Sequence, residues 1–244
     1  PLDEAEGFRA MDRLAGGVVE VHRLSLPEGV TPRAALDRLG MRAGLRHPNL
    51  QRILDFGLDA LKRPFVVCES LERAADIVEA GRDAHPDLQA SLLAQVLRAL
   101  VYLHRRGFAH ARVDRARAVV IDGRVKLTGL ALGALEDEAP EPRADLASVG
   151  EIARSIWGEE PSAPESGALG SWAQRLGNER SGAGFETAME ALEALGPLLG
   201  ESIPIETLET RESLLRTAPL VGRDAELELL EGRLREALGG RGGA

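Results

Sequence analysis

The side chains able to do nucleophilic, acid–base or metal chemistry are few and unevenly spread. The single cysteine, Cys68, excludes an internal disulfide framework and a cysteine-based zinc site. It closes the apolar run Phe65-Val66-Val67-Cys68, a setting that hides a thiol and leaves it inert. His104 and His110 have no third ligand at metal-binding spacing. Only Lys62 and Lys126 are lysines; neither follows a glycine or precedes a hydroxyl, so a G-x-x-x-x-G-K-[ST] phosphate loop is impossible. No ATPase core of that type lies within these residues. The arginines Arg105, Arg106, Arg112, Arg115 and Arg117 read either as an anion site for a phosphorylated partner or as a solvated face balanced by nearby acids.

The elements that must position these groups change character along the chain. Phe8-Arg9-Ala10-Met11-Asp12-Arg13, the turn signal Gly16-Gly17 and the β-branched run at 18–24 predict a hairpin. Thr31-Pro32 opens a helix carrying Ala35, Leu36, Leu39 and Ala43, which stops before His47-Pro48-Asn49. Residues 50–56 and 64–68 are further strands around a polar turn at 59–63. From Pro86-Asp87 a long helix sets Leu88, Leu92, Val96, Leu100 and Leu103 on one stripe and ends near Gly107. Asp122-Gly123 between 118–121 and 124–127 is the strongest hairpin signal in the chain. Helices are expected around 146–157, 169–176 and 185–199, with a loop at 158–167. A polar linker at 202–217, an amphipathic helix at 224–238 and a glycine-rich end follow.

With 244 residues, 44% hydrophobic, the chain is long and apolar enough for a real core. Its net charge of -9 argues against neutralising nucleic-acid phosphates as its main work. No apolar run reaches the roughly 20 residues that span a bilayer, and no secretory leader is seen. A reducing, cytoplasmic setting without nucleic-acid or membrane partners is expected. The start at Pro1 reads as an excised piece of a longer chain.

A strand-rich half with one helix, followed by a helix-rich half, resembles the bilobal protein kinase fold, α+β in class. The wording of the segments narrows this to bacterial eukaryotic-like serine/threonine kinases. Residues 8–16 resemble the family's second strand and turn, and Leu45-Arg46-His47-Pro48-Asn49-Leu50 its link from helix C to the fourth strand. Phe65-Val66-Val67-Cys68-Glu69-Ser70-Leu71-Glu72 resembles the fifth strand and hinge, with Cys68 as gatekeeper and Cys68, Glu69 and Leu71 as the positions a nucleotide would meet. Residues 99–110 resemble the entry to the catalytic loop, 125–128 the strand before the metal-binding motif, and Arg143-Ala144-Asp145-Leu146-Ala147-Ser148-Val149-Gly150 the start of helix F. Glu141 and Arg180 stand where the family has a structural ion pair.

Phosphoryl transfer in that family needs a glycine loop, a lysine paired with a helix C glutamate, a catalytic aspartate, and an asparagine and an aspartate for Mg²⁺. By this resemblance His22 replaces the lysine, as a weak phosphate contact or as an ordinary strand residue. Arg38 replaces the glutamate, Arg112 the catalytic aspartate, Arg117 the asparagine and Gly129 the metal-binding aspartate. Residues 1–7 cannot supply a glycine loop, and the segment from Gly129 to Ala139-Pro140-Glu141 is short. Arginines at the metal positions would repel a divalent cation. The resemblance therefore implies a pseudokinase with no catalytic residues and no cofactor; ATP and Mg²⁺ enter only under the alternative of an active or ATP-binding kinase with displaced residues.

Pro219-Leu220-Val221-Gly222-Arg223-Asp224 resembles the opening of an AAA/STAND-type signalling ATPase module. The implied organisation is a kinase-like N-lobe at 1–72, a C-lobe at 73–201, a linker at 202–218 and the start of the ATPase at 219–244. The implied role in signal transduction is a sensor or docking module, whose partner is another protein or the adjoining ATPase.

Overall fold

The computed structural model describes residues 7–13, 16–133, 135, 141–157, 164–178, 183–199, 203–205, 207–208, 210–211 and 232–233. Strands β1 (Gly7–Asp12) and β2 (Gly17–Arg23) pair antiparallel, Phe8 opposite Val21, and Gly16 turns between them with φ 72°. Helix α1 (Pro32–Ala43) starts where Thr31 accepts a hydrogen bond from the Ala34 N–H at 3.2 Å, and Pro32 occupies a first-turn position that needs no N–H. Strands β3 (Ile53–Leu58) and β4 (Pro64–Glu69) complete a sheet of order β1-β2-β4-β3. Ala35 and Leu39 of α1 pack on the sheet face formed by Ile53, Val66 and Cys68, a small core that Ala131 and Leu135 from the second lobe complete.

The second lobe is helical. After the short β5 (Ala75–Asp76) and α2 (Ile77–Gly81), α3 (Pro86–His104) runs through its centre. Leu92, Val96, Leu100 and Leu103 are buried, and so are Leu93, Leu97 and Val101 on its other faces, so that only the stripe of Ser91, Gln95 and Arg98 reaches solvent along its middle. Strands β6 (Ala118–Ile121) and β7 (Arg124–Leu127) form the expected hairpin, with Asp122 and Gly123 both at positive φ, 49° and 74°, as a type I′ turn requires. Helices α4 (Leu130–Gly133), α5 (Pro142–Trp157), α6 (Pro164–Leu176) and α7 (Ala188–Leu195) follow. Trp172 anchors their core, its indole N–H donating to the Ala191 carbonyl at 2.9 Å, while Trp157 is half-buried against it.

Several expectations are corrected. Leu88 is exposed, because the first turn of α3 projects beyond the core that the later turns enter. Leu50 belongs to no strand in the sheet; it makes an isolated bridge with Leu127, and β3 begins at Ile53. Helix α6 already begins at Pro164, within the stretch read as loop, since proline fits a first helical turn. The helical stretch expected at 185–199 starts at Ala188, capped by Thr187, and ends as a 3-10 turn, Gly196–Leu199. Elements β5, α2 and α4 were too short to announce themselves by periodicity.

The lobes are joined by more than the chain. Gln51 N–H donates to the Leu127 carbonyl at 2.8 Å, Leu127 N–H to Asn49 at 2.9 Å, and the Asn49 amide to Val125 at 2.9 Å. Ile203 and Ile205 lie against the helical core, and Arg98 Nε donates to the Pro204 carbonyl at 2.9 Å. Residues 1–6 of the expected glycine-loop position, Ala139, Pro140 and Arg180, and nearly all of the tail from 212 onward lie outside the described residues. Among the described residues no helix is long and apolar enough to cross a membrane.

Candidate functional site

A cavity of about 460 Å³ opens between the lobes. Alternation on β2 turns Glu20 and His22 toward it, opposite Cys68 and Val66 of β4. Leu71 follows on the segment after β4, and Arg112, Arg117, Thr128 and Gly129 line the opposite wall. His22, Cys68, Leu71, Arg112, Arg117 and Gly129 are thus brought together from distant parts of the sequence. Arg38 stands on α1 and Glu69 at the end of β4; neither lines the cavity.

The loop carrying Arg112 and Arg117 is held by two buried charges. From α5, Asp145 is 1% exposed and accepts from the His110 N–H at 2.8 Å and the Ala111 N–H at 2.9 Å, while its Oδ2 meets His104 Nε2 at 2.9 Å. These contacts fix the bend at Ala111, whose φ of 67° lies in the left-handed region. From α1, the Arg42 guanidinium donates to the carbonyls of Ala109 at 3.2 Å, Leu130 at 3.3 Å and Gly133 at 3.3 Å, and stands over the Phe108 ring. Sequence reasoning missed Arg42. The signal was available: Ala35, Leu39 and Arg42 recur at helical spacing, so the arginine continues the buried stripe of α1.

The electrostatics of the cavity wall run against metal chemistry. Arg117 forms an ion pair with Asp114, and its backbone N–H donates to the same carboxylate at 2.9 Å. Its side chain crosses Gly129, with Cδ 2.9 Å from the place a Cβ on Gly129 would take. The Arg117 side chain therefore fills the space that an acidic side chain at position 129 would need. His22 Nε2 is 3.9 Å from Glu20 Oε2. Burial, reinforced by Glu20 and Glu69, pushes the Cys68 thiol up to about 12, so it is protonated and unreactive.

The other arginines do not converge on one point. Arg106 stacks over Tyr102 at 3.8 Å, Arg115 pairs with Asp76 at 3.0 Å, and Arg105 reaches the Met189 sulfur at 3.0 Å. Among the described residues no group of histidine, cysteine and acidic side chains could hold a metal ion.

Solved structures share this architecture. The Neurospora crassa PAN3 pseudokinase superposes with a TM-score of 0.66 at 14% identity, over 96% of this chain and 63% of that one. The fold is protein-kinase-like. The kinase domain of Mycobacterium tuberculosis PknI matches with a TM-score of 0.58 at 19% identity, over 81% of this chain and 91% of that domain. The Drosophila melanogaster PAN3 pseudokinase matches at 0.62 and 14% identity, over 96% of this chain and 69% of that one. The chain thus spans less than two thirds of the Neurospora protein's length in that structure. No protein-family model matches the chain. The neighbours include a pseudokinase and a kinase domain, so the likeness establishes the fold and leaves the chemistry to the residues themselves.

Proposed function

We propose that this chain is a pseudokinase module that senses or docks a protein partner and performs no phosphoryl transfer. One observation carries the reading: the Arg117 side chain lies across Gly129, with a cation beside the position from which a metal-binding carboxylate would act. Arg112 adds a second cation on the same wall and cannot accept a substrate proton at neutral pH. The sequence at 219–224 supports an adjoining AAA/STAND-type ATPase in the same polypeptide as the regulated partner, in a bacterial cytoplasm. An active kinase with displaced residues would draw on Asp114, the acid nearest to Arg112 in sequence, but Asp114 is engaged by Arg117.

The test is incubation with labelled ATP, Mg²⁺ or Mn²⁺ and generic protein substrates, alongside a His22→Ala, Asp114→Ala double variant. Both proteins should give the same background. Incorporation by the native protein that the double variant loses would show catalysis by displaced residues and overturn the reading.

A further inference from the structure

At the end of β4, the Glu69 carbonyl and the Leu71 N–H form a backbone acceptor and donor beside the cavity. That pair complements the amino group and ring nitrogen on one edge of adenine. Both members are already engaged by side chains of this chain. Gln51 Nε2 donates to the Glu69 carbonyl at 3.0 Å, and Glu20 Oε1 accepts from the Leu71 N–H at 3.3 Å. The two side chains also join each other, Gln51 Nε2 to Glu20 Oε2 at 3.0 Å. An amide donor and a carboxylate acceptor, linked by a hydrogen bond, thus present the backbone with the donor and acceptor a purine would bring.

We propose that Glu20 and Gln51 close a latent purine site from within, and that Glu20 is the residue that excludes adenine from the cavity. This deepens the pseudokinase reading and rests on it, because it removes the base contacts as well as the metal contacts. The arrangement is built rather than accidental. Strand register sets Glu20 opposite Cys68 on the cavity face, and the Gln51 backbone is fixed by its bond to Leu127, so neither side chain reaches the pair by a long flexible approach. Gln51 is buried at 6% exposure and spends both amide hydrogens on these contacts. A purine would have to expel both groups and leave buried polar atoms unpaired, a penalty that it would recover only in part.

Adenosine, without phosphate or metal, isolates this claim from the question of catalysis. Titration calorimetry and thermal denaturation with adenosine should show no saturable binding to the native protein. Glu20→Ala should bind adenosine saturably, with a dissociation constant at least about tenfold below the highest concentration at which the native protein shows no binding, the equivalent of one regained hydrogen bond. Glu20→Val, which favours the strand, provides the same opening if the alanine variant folds poorly. Glu20→Gln retains an acceptor for the Leu71 N–H and should stay closed. Adenosine binding by the native protein equal to that of Glu20→Ala would overturn the proposal, and so would folded alanine and valine variants that bind no more tightly than the native chain. Either result leaves the absence of phosphoryl transfer to be judged by the labelled-ATP assay alone.

Discussion

The side chain of Arg117 crosses Gly129 so closely that its Cδ stands 2.9 Å from where a Cβ on Gly129 would be. Gly129 also has φ 84°, a conformation that strains any L side chain. Installing a carboxylate by Gly129→Asp should therefore destabilise the protein by about 1–3 kcal/mol. It should confer no Mg²⁺-dependent rise in melting temperature. Adding Arg117→Asn should recover part of the stability, since it removes the obstructing chain. Urea denaturation of the three proteins checks this; a single variant as stable as the native chain would mean that Arg117 moves aside freely.

Asp145 gathers the His110 and Ala111 N–H groups and the His104 ring around one buried carboxylate. Asp145→Ala would strip partners from two backbone donors, so its expected loss is about 3 kcal/mol or more. Asp145→Asn keeps one good acceptor and should lose less. The midpoint of urea unfolding, with an unchanged slope, is the measurement.

Arg42 performs the matching task from the other lobe. Replacing it with leucine, a residue that suits the stripe Ala35–Leu39–Arg42, would leave the carbonyls of Ala109, Leu130 and Gly133 without this donor. Destabilisation of roughly 2–4 kcal/mol should follow, together with faster hydrogen exchange in α4 and in the loop at 108–117. Equal stability of Arg42→Leu would show that hydrophobic packing substitutes fully for the three hydrogen bonds.

These contacts explain what the sequence could and could not reveal. The hairpin at Asp122-Gly123 was legible because a type I′ turn restricts the residues that can form it. Helix α1 was legible from Thr31-Pro32 and its apolar spacing, and the two-lobed order from the segments that resemble kinases. The roles of Glu20 and Gln51 were not, because they depend on the register of β2 with β4 and on the end of a separate loop. A β-branched run such as Val18-Val19-Glu20-Val21 announces a strand without saying which alternate set faces a cavity. Leu88 misled for a related reason: periodicity gives the side of a helix, and burial also depends on how far along the helix the core extends.

Acid should weaken the fold through His47 and His110. Burial pulls His47 to about 3 and His110 to about 4, from an ordinary value of 6.5. Both remain neutral in the native state while the unfolded chain takes up protons below about pH 6.5. Their contribution is thus fully present above that pH and is lost as pH falls toward the native values. Between pH 6.5 and 5 the loss is about 2 kcal/mol for each histidine. The ring of His110 has no hydrogen-bond partner among the described residues, so His110→Leu should fold and show a shallower decline over that range. A slope equal to that of the native protein would remove His110 from the account.

The tail gives a prediction in two parts, because its first residues touch the helical lobe while the later ones are expected to belong elsewhere. Ile203 and Ile205 lie against the core and the Pro204 carbonyl accepts from Arg98. Ending the chain after Glu201 removes these contacts. A fully buried isoleucine contributes about 1.5–3 kcal/mol, and these two are only half-buried, so a loss of about 2 kcal/mol is expected. Ending it after Thr217 keeps them and removes only the expected amphipathic helix, whose Leu227, Leu230, Leu234 and Leu238 form a stripe suited to another domain. That shorter deletion should change the unfolding free energy by less than about 1 kcal/mol, within the range of surface changes and extrapolation error. Chemical denaturation of both truncations against the full chain separates the two parts. A loss of several kcal/mol on ending at Thr217 would place the amphipathic helix in the kinase-like core and move the domain boundary beyond it.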